Sequence, residues 1–326
     1  MDIAYASIHQ LHEAYRENRL TVKEVVMAHL ARIAKIDSCE GGLKSVIEVN
    51  SDALFIAERL DRHWREMEKM PPLFGVPILL KDNISTQNDK MRTSAGSVAL
   101  ADNYAPFEAH IVHSLERAGA VILGKTNMTE FANYMTREGM PNGYSSRGGQ
   151  TLCPYNREKD PSGSSTGSAV AVAAGLSTVS IGTETSGSII SPAGVNGVVG
   201  IKPTIGLVGR GGIIPISSTF DTAGPMARNV TDAAILLGVI AGLDRSDAAS
   251  QAIWETRAMW EEWTLPSDKP IDYTKHLKGR GLKGIRIGLN RTKELANLPE
   301  GDEAIAAFDK LCNLLTKAGA TLVDDI

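Results

Sequence analysis

Residues 143–212 hold fifteen of the chain's 31 glycines, and nothing else in the sequence restricts the fold as strongly. Glycine permits positive φ and close backbone approach, so such a stretch reads as a set of tight turns gathered around something. The same seventy residues contain only two lysines, Lys159 and Lys202, and no histidine. Two glycine–serine runs stand out within it, "DPSGSSTGSAV" at 160–170 and "GTETSGSII" at 182–190. Apolar segments run between them, so these are loops of a packed core rather than a solvated linker.

The surrounding pattern alternates helices with buried strands. Thr21 with Glu24 reads as a capping box opening a helix through about Ile36. "KSVIEVN" (44–50) reads as a strand and 52–68 as a helix. "FGVPILL" (74–80) is a nearly continuous apolar run, as expected of a strand buried on both faces. A helix at 109–118 leads to a strand at 120–124, and a helix at 169–175 to one at 177–182. Strands are also expected at 198–202, 286–290 and 320–325. The apolar run at 233–243 is too short to span a bilayer, which takes about 20 residues, and reads as part of a buried helix from Thr231. Trp254, Trp260 and Trp263 read as a helix packing its aromatics on the core. The fold class is α/β, a mixed central sheet with helices on both faces. One domain is expected: a helical part at 1–70, a catalytic core at 71–245 and a supporting part at 246–326.

Composition narrows the function. A net charge of −4 gives the chain no basic footprint for nucleic acid or an anionic membrane. Cys39, Cys153 and Cys312 are too scattered for a zinc site or a disulfide framework, which suits a cytoplasmic protein. No apolar leader opens the sequence.

Phosphate is the first thing such loops could hold, but no Gly-Lys-Ser/Thr follows either run, and the dinucleotide glycine spacing is missing. No cofactor and no metal is therefore expected. A serine nucleophile is the second candidate. Ser188 would sit where a strand gives way to a turn, with neighbouring N–H groups directed into one small cavity. A serine hydroxyl needs a base. The seven histidines, His9, His12, His29, His63, His110, His113 and His276, lie outside the glycine loops and read as solvated helix faces. Lysine can serve if burial keeps it neutral. Lys81 directly follows the buried strand, where open α/β sheets place their ligands. An exposed lysine ending that strand is the plain alternative.

Four segments in order, "GVPILLKDN", "DPSGSSTGSAVAVAAG", "GTETSGSIISPAGVNGVVGIKPT" and "DTAGPMARNVTDAAIL", closely resemble the amidase signature family, most strongly over 74–243. The resemblance implies a serine–cis-serine–lysine triad: Ser188 as nucleophile, Ser164 as bridging serine after a cis Gly163–Ser164 peptide, and Lys81 as base. It also implies an oxyanion hole from the backbone N–H groups of Thr185, Ser186, Gly187 and Ser188, with Ser165 in support. The implied activity is hydrolysis of a small-molecule amide through an acyl-serine. A partner-completed or catalytically impaired homologue, and a glutamine-dependent amidotransferase A-type subunit, stand as alternatives, and a homo-oligomer is left open. The chain departs from the commonest family pattern at Glu184, Ser186 and Ile190, which replace aspartate, glycine and arginine, so Glu184 is expected to lack its arginine partner. Ser162 and Thr166 replace glycines in the first loop. The family continues beyond the point matching Ile326, so a shortened chain with an incomplete acyl pocket is the expectation.

Overall fold

The structure, a computed structural model, describes residues 1–64, 69–87, 91–135, 139–260, 270–277, 279, 281–291, 295, 298–299 and 302–324. It divides into two compact units, Met1–Thr274 and Lys275–Ile326.

The first unit is built on a six-stranded mixed sheet. Its strands are β1 (Val46–Val49), β2 (Pro77–Lys81), β3 (Val121–Thr126), β6 (Val179–Glu184), β7 (Val199–Gly200) and β8 (Thr222–Ala227). They lie side by side in the order β1-β3-β2-β6-β8-β7. The intervening β4 (Tyr144–Ser145) and β5 (Gly149–Gln150) form a small separate hairpin. Strands β3, β2 and β6 are mutually parallel, while β1 and β8 run antiparallel to their neighbours.

The apolar run that forms β2 is buried on both faces, and alternate residues serve different cores. Ile78 and Leu80 join Ile111, Val112, Leu236 and Val239, which come from α4 (His110–Arg117) and α7 (Val230–Ile240). Leu79 joins Val25, Val26, Ala57 and Val170 on the opposite face. Those residues belong to α2 (Val22–Ile36), α3 (Ala53–His63) and α5 (Thr166–Ala173). This is the two-faced burial that an unbroken apolar strand requires.

Local signals place the helix ends. The Thr21–Glu24 capping box is formed in full: Glu24 N–H donates to Thr21 Oγ1 at 3.1 Å, and Thr21 N–H donates to Glu24 Oε2 at 2.8 Å. The same device, Ser7 with Gln10, opens α1 (Ile8–Arg16), a helix not among those expected from the sequence. Strand β8 was not expected either. Gly224 and Pro225 disguise it, yet all six of its positions are buried. Pro225 sits opposite Ile181 of β6 and accepts from Ile201 N–H on its other side. A residue of an antiparallel strand directs its N and its C=O the same way, so the missing N–H takes no rung from the β6 ladder.

Two histidines correct the expectation of solvated helix faces. His12 and His29 are buried, and each sets one ring nitrogen against a backbone carbonyl, Phe74 O at 3.1 Å and Gly175 O at 3.2 Å. A hydrophobic helix face accommodates imidazole when a carbonyl meets it, and periodicity does not reveal that carbonyl. Trp254 lies buried on α8 (Ala248–Trp260); the side chain of Trp260, and Trp263, fall outside the described residues.

Glycine sets the approach of α5 to the sheet. A Cβ on Gly167 would stand 2.3 Å from Asn127 O and 2.4 Å from Ser45 O, both backbone atoms that cannot turn aside. Gly167→Ala should therefore lower stability by about 1–3 kcal/mol, the usual cost of overpacking. A fall in the urea midpoint at unchanged slope is the expected reading; an unmoved midpoint would refute it.

In the second unit, β9 (Arg286–Leu289) pairs in parallel with β10 (Thr321–Asp324), and the helix Glu303–Lys317 lies between them in sequence. Among the described residues no helix is long and apolar enough to cross a membrane.

Candidate active site

Lys81 is the last residue of β2 and is fully buried. Its Nζ lies 2.7 Å from Ser164 Oγ, 2.9 Å from Ser165 Oγ and 3.0 Å from Thr183 O. Burial drives its pKa well below the ordinary lysine value, and the charges of Glu184 and Asp221 pull it only part of the way back. The neighbouring acid does not neutralise it. Asp82 spends its carboxylate on Ser94 Oγ, on Gly96 N–H at 2.9 Å and on Arg147 at 3.4 Å.

The first glycine–serine loop brings its serines to this amine. Ser162 has φ +60°, the left-handed conformation in which glycine is at ease, and the Gly163–Ser164 peptide is cis. Ser164 and Ser165 are buried immediately ahead of α5. Ser165 Oγ donates to Thr183 O at 2.9 Å and accepts from Thr183 N–H at 3.1 Å, which stitches the loop to the end of β6. Ser165 N–H donates to Ser188 O at 3.1 Å, which ties the two loops together.

The second loop, 185–188, leaves β6 and enters the short helix α6 (Ile190–Val195). Glu184 is buried and does have partners, though not a guanidinium. Its carboxylate accepts from the N–H groups of Gly187 at 2.8 Å, Ile189 at 2.7 Å and Ile190 at 3.0 Å. Of the four N–H groups named for an oxyanion hole, that of Gly187 is thus engaged, which leaves those of Thr185, Ser186 and Ser188. Sequence reasoning missed Asp221. It accepts from Thr185 Oγ1 at 2.5 Å, Ile216 N–H at 2.7 Å and Ser217 N–H at 2.8 Å. The available signal was its place at the head of the segment "DTAGPMARNVTDAAIL".

Ser164 and Ser188 line one cavity of about 250 Å³, with Asn133, Tyr134, Thr185 and Ile216 among its other walls. The backbone bordering it is unusual, because Phe131, Ala132 and Asn133 all have positive φ. A second cavity of about 420 Å³ adjoins it and shares Thr185 and Ile216. On the wall of the second cavity Arg210 meets Asp247 through two bonds of 2.6 and 2.8 Å, and its guanidinium also donates to the Asp221 backbone carbonyl at 3.4 Å.

Fold and loops together define an α/β protein whose mixed sheet ends on a buried lysine facing two serine-rich turns. The chain belongs to the amidase family, whose model, described as Amidase, matches residues 24–325. It is 41% identical over 317 residues to a putative amidase of Arthroderma benhamiae, an alignment that covers 97% of this chain and 50% of the relative. It is 38% identical to the A-type subunit of the glutamyl-tRNA(Gln) amidotransferase of Thermosynechococcus vestitus, over 97% of this chain and 60% of that one. Among solved structures, the peptide amidase of Stenotrophomonas maltophilia superposes with a TM-score of 0.87 at 44% identity, covering 99% of this chain and 62% of the other. The chain thus spans about half the length of the amidase relative.

Proposed function

We propose that the chain hydrolyses carboxamides, releasing an amine or ammonia through an acyl-serine, with Ser188 as nucleophile, Ser164 as relay and Lys81 as base. All three lie within the proposed catalytic core, 71–245. The contact that carries this reading is Lys81 Nζ to Ser164 Oγ, 2.7 Å in a fully buried setting.

The hydrogens can be placed for the neutral amine that burial favours. Thr183 O can only accept. Ser165 gives its hydrogen to Thr183 O, so toward Lys81 it too can only accept. Those two acceptors use the two N–H bonds of a neutral amine and leave its lone pair aimed at Ser164. The Ser164 hydroxyl then donates to Lys81, and its own lone pairs are open to the Ser188 proton.

The reaction follows from that arrangement. Ser188 Oγ bonds to the amide carbonyl carbon while its proton passes to Ser164 and the Ser164 proton to Lys81. Negative charge gathers on the carbonyl oxygen, where N–H groups of the 185–188 turn stabilise it. The relay then returns a proton to the nitrogen, the C–N bond breaks, and the amine leaves. Water, deprotonated by the same relay, releases the acid and restores Ser188. Ser188 is favoured over Ser186 because its carbonyl is bonded to Ser165 N–H, whereas Ser186 is exposed on the turn.

The test is a fluorophosphonate label followed by peptide mapping, run beside ammonia release from short aliphatic amides. Label on Ser188 and ammonia from the amides are the expected results; label on Ser186, or none, would overturn the assignment. The second reading, a glutamine-dependent amidotransferase component, draws on the 38% identity to the A-type relative. Glutamine as the sole ammonia source would favour it.

A further inference from the structure

Two carboxylates bracket the 185–188 turn. Glu184 accepts from Gly187 and Ile189, the residues on either side of Ser188, and from Ile190. Asp221 accepts from the Thr185 hydroxyl at the other end of the turn. Its second oxygen accepts from Ile216 and Ser217 N–H, fixing the segment that forms the opposite wall of both cavities. Each acid thus has several fixed donors, and among the described residues no guanidinium bonds either carboxylate.

We propose that Glu184 and Asp221 are paired positioning residues for hydrolysis, holding the nucleophile turn from its two ends and setting the charge that the buried base experiences. The inference rests on the serine–lysine reading above. It replaces an acid–arginine pair with an acid–acid clamp whose counter-groups are backbone N–H. The consequences differ from those of a neutral scaffold. An acid–arginine pair is nearly silent at a distance because its charges cancel. Here the Glu184 carboxylate is held by N–H groups alone, and Asp221 has Arg210 near its backbone carbonyl, at 3.4 Å, rather than on its carboxylate; both acids raise the proton affinity of Lys81 against burial. The clamp therefore has two separable effects. Its hydrogen bonds place Ser188 and the N–H groups beside it. Its charge keeps the Lys81 pKa from falling further, which sets the pH at which the neutral base appears.

The experiment measures the rate of Ser188 acylation by an alkyl fluorophosphonate across pH 5–10 in the whole chain. Four single variants are compared with the parent: Glu184→Gln, Glu184→Asp, Asp221→Asn and Thr185→Val. Glu184→Gln and Asp221→Asn remove charge, so the midpoint of the pH profile should move to lower pH while the plateau falls by about tenfold or more as the turn loosens. Glu184→Asp keeps the charge but shortens the reach, and Thr185→Val removes one clamp bond and keeps both charges. These two should lower the plateau and leave the midpoint in place. Unmoved midpoints in both charge-removing variants, or plateaus within twofold of the parent in all four, would overturn the clamp. Should one variant fail to fold, the remaining three still decide the matter. A parent in which Ser188 is unreactive at every pH would overturn the serine–lysine reading itself, and the clamp with it. That outcome is distinct from a reactive parent with insensitive variants.

Discussion

Lys81→Met should cut amide hydrolysis and Ser188 acylation by about three to six orders of magnitude, the loss expected when one member of a cooperating catalytic set is removed. Methionine occupies much the same buried volume and cannot hold a proton. Ser165 and Thr183 keep their mutual bonds, so the fold loses the amine's three contacts, with Ser164 Oγ, Ser165 Oγ and Thr183 O. That costs about 1–3 kcal/mol at most, partly offset because a buried amine no longer has to be desolvated. The parent's rate should climb with pH through the lowered Lys81 pKa, since the working form is the unprotonated one. The variant should show no such limb. A Lys81→Met protein within tenfold of the parent would remove lysine from the mechanism. So would a single histidine variant, among His9, His12, His29, His63, His110, His113 and His276, that loses as much as Lys81→Met does.

The second large effect concerns acid stability. Burial lowers both His12 and His29 from 6.5 to about 4. Unfolded, each histidine takes up a proton near pH 6.5; folded, only near 4. Between those values the unfolded chain holds more protons, so stability falls as pH falls from about 6.5 and levels off below about 4. By pH 5 each histidine should cost about 2 kcal/mol relative to pH 7, and about 3 kcal/mol below pH 4. Three buried acids act in the opposite sense. Asp37, Asp82 and Asp232 have carboxyl pKa values raised by burial, so the folded chain binds their protons first and gains stability as pH falls toward the ordinary carboxylate range. The histidine contribution is isolated by difference. Urea unfolding of His29→Gln at pH 7 and pH 5 should show a smaller acid loss than the parent by about 2 kcal/mol. An equal loss in both proteins would mean that His29 is not buried in its neutral form.

The elements most legible in the sequence are those whose signal is local. The Thr21–Glu24 box fixes the start of α2, and an unbroken apolar run fixes β2 as a strand covered on both sides. The Ser7–Gln10 box is equally local but carries less weight, because no strong apolar stretch follows it. Strand β8 is hidden for a physical reason. Its identity as a strand comes from neighbours on both sides, and its own Gly224 and Pro225 argue against it until those neighbours are known. At the site, a lysine ending a buried strand and two serine loops are visible as residue types at a spacing. The acceptor Thr183 O, the N–H partners of Glu184 and the whole role of Asp221 are not. Each depends on where a backbone group points after folding, and a one-letter code does not carry that direction.

The reciprocal bonds between Ser165 and Thr183 have a mechanical consequence. Two backbone strands can slide past each other by a pair of residues and recover every rung, because all rungs are alike. The two-way bond between Ser165 and Thr183 is not repeated two residues away, where Ile181 O accepts from Ser168 Oγ at 3.0 Å as a second, one-way pin, and Thr185 is already outside the strand. Strand β6 is therefore pinned lengthwise to the start of α5 as well as sideways to β2 and β8. Ser188 follows only five residues after Thr183, so very little slack can accumulate between the pin and the hydroxyl. Ser165→Ala, which leaves all charges in place, should act like a loosened setscrew. The Thr183 amide should exchange with deuterium sooner, and acylation of Ser188 should become slower, with more spread among its conformers.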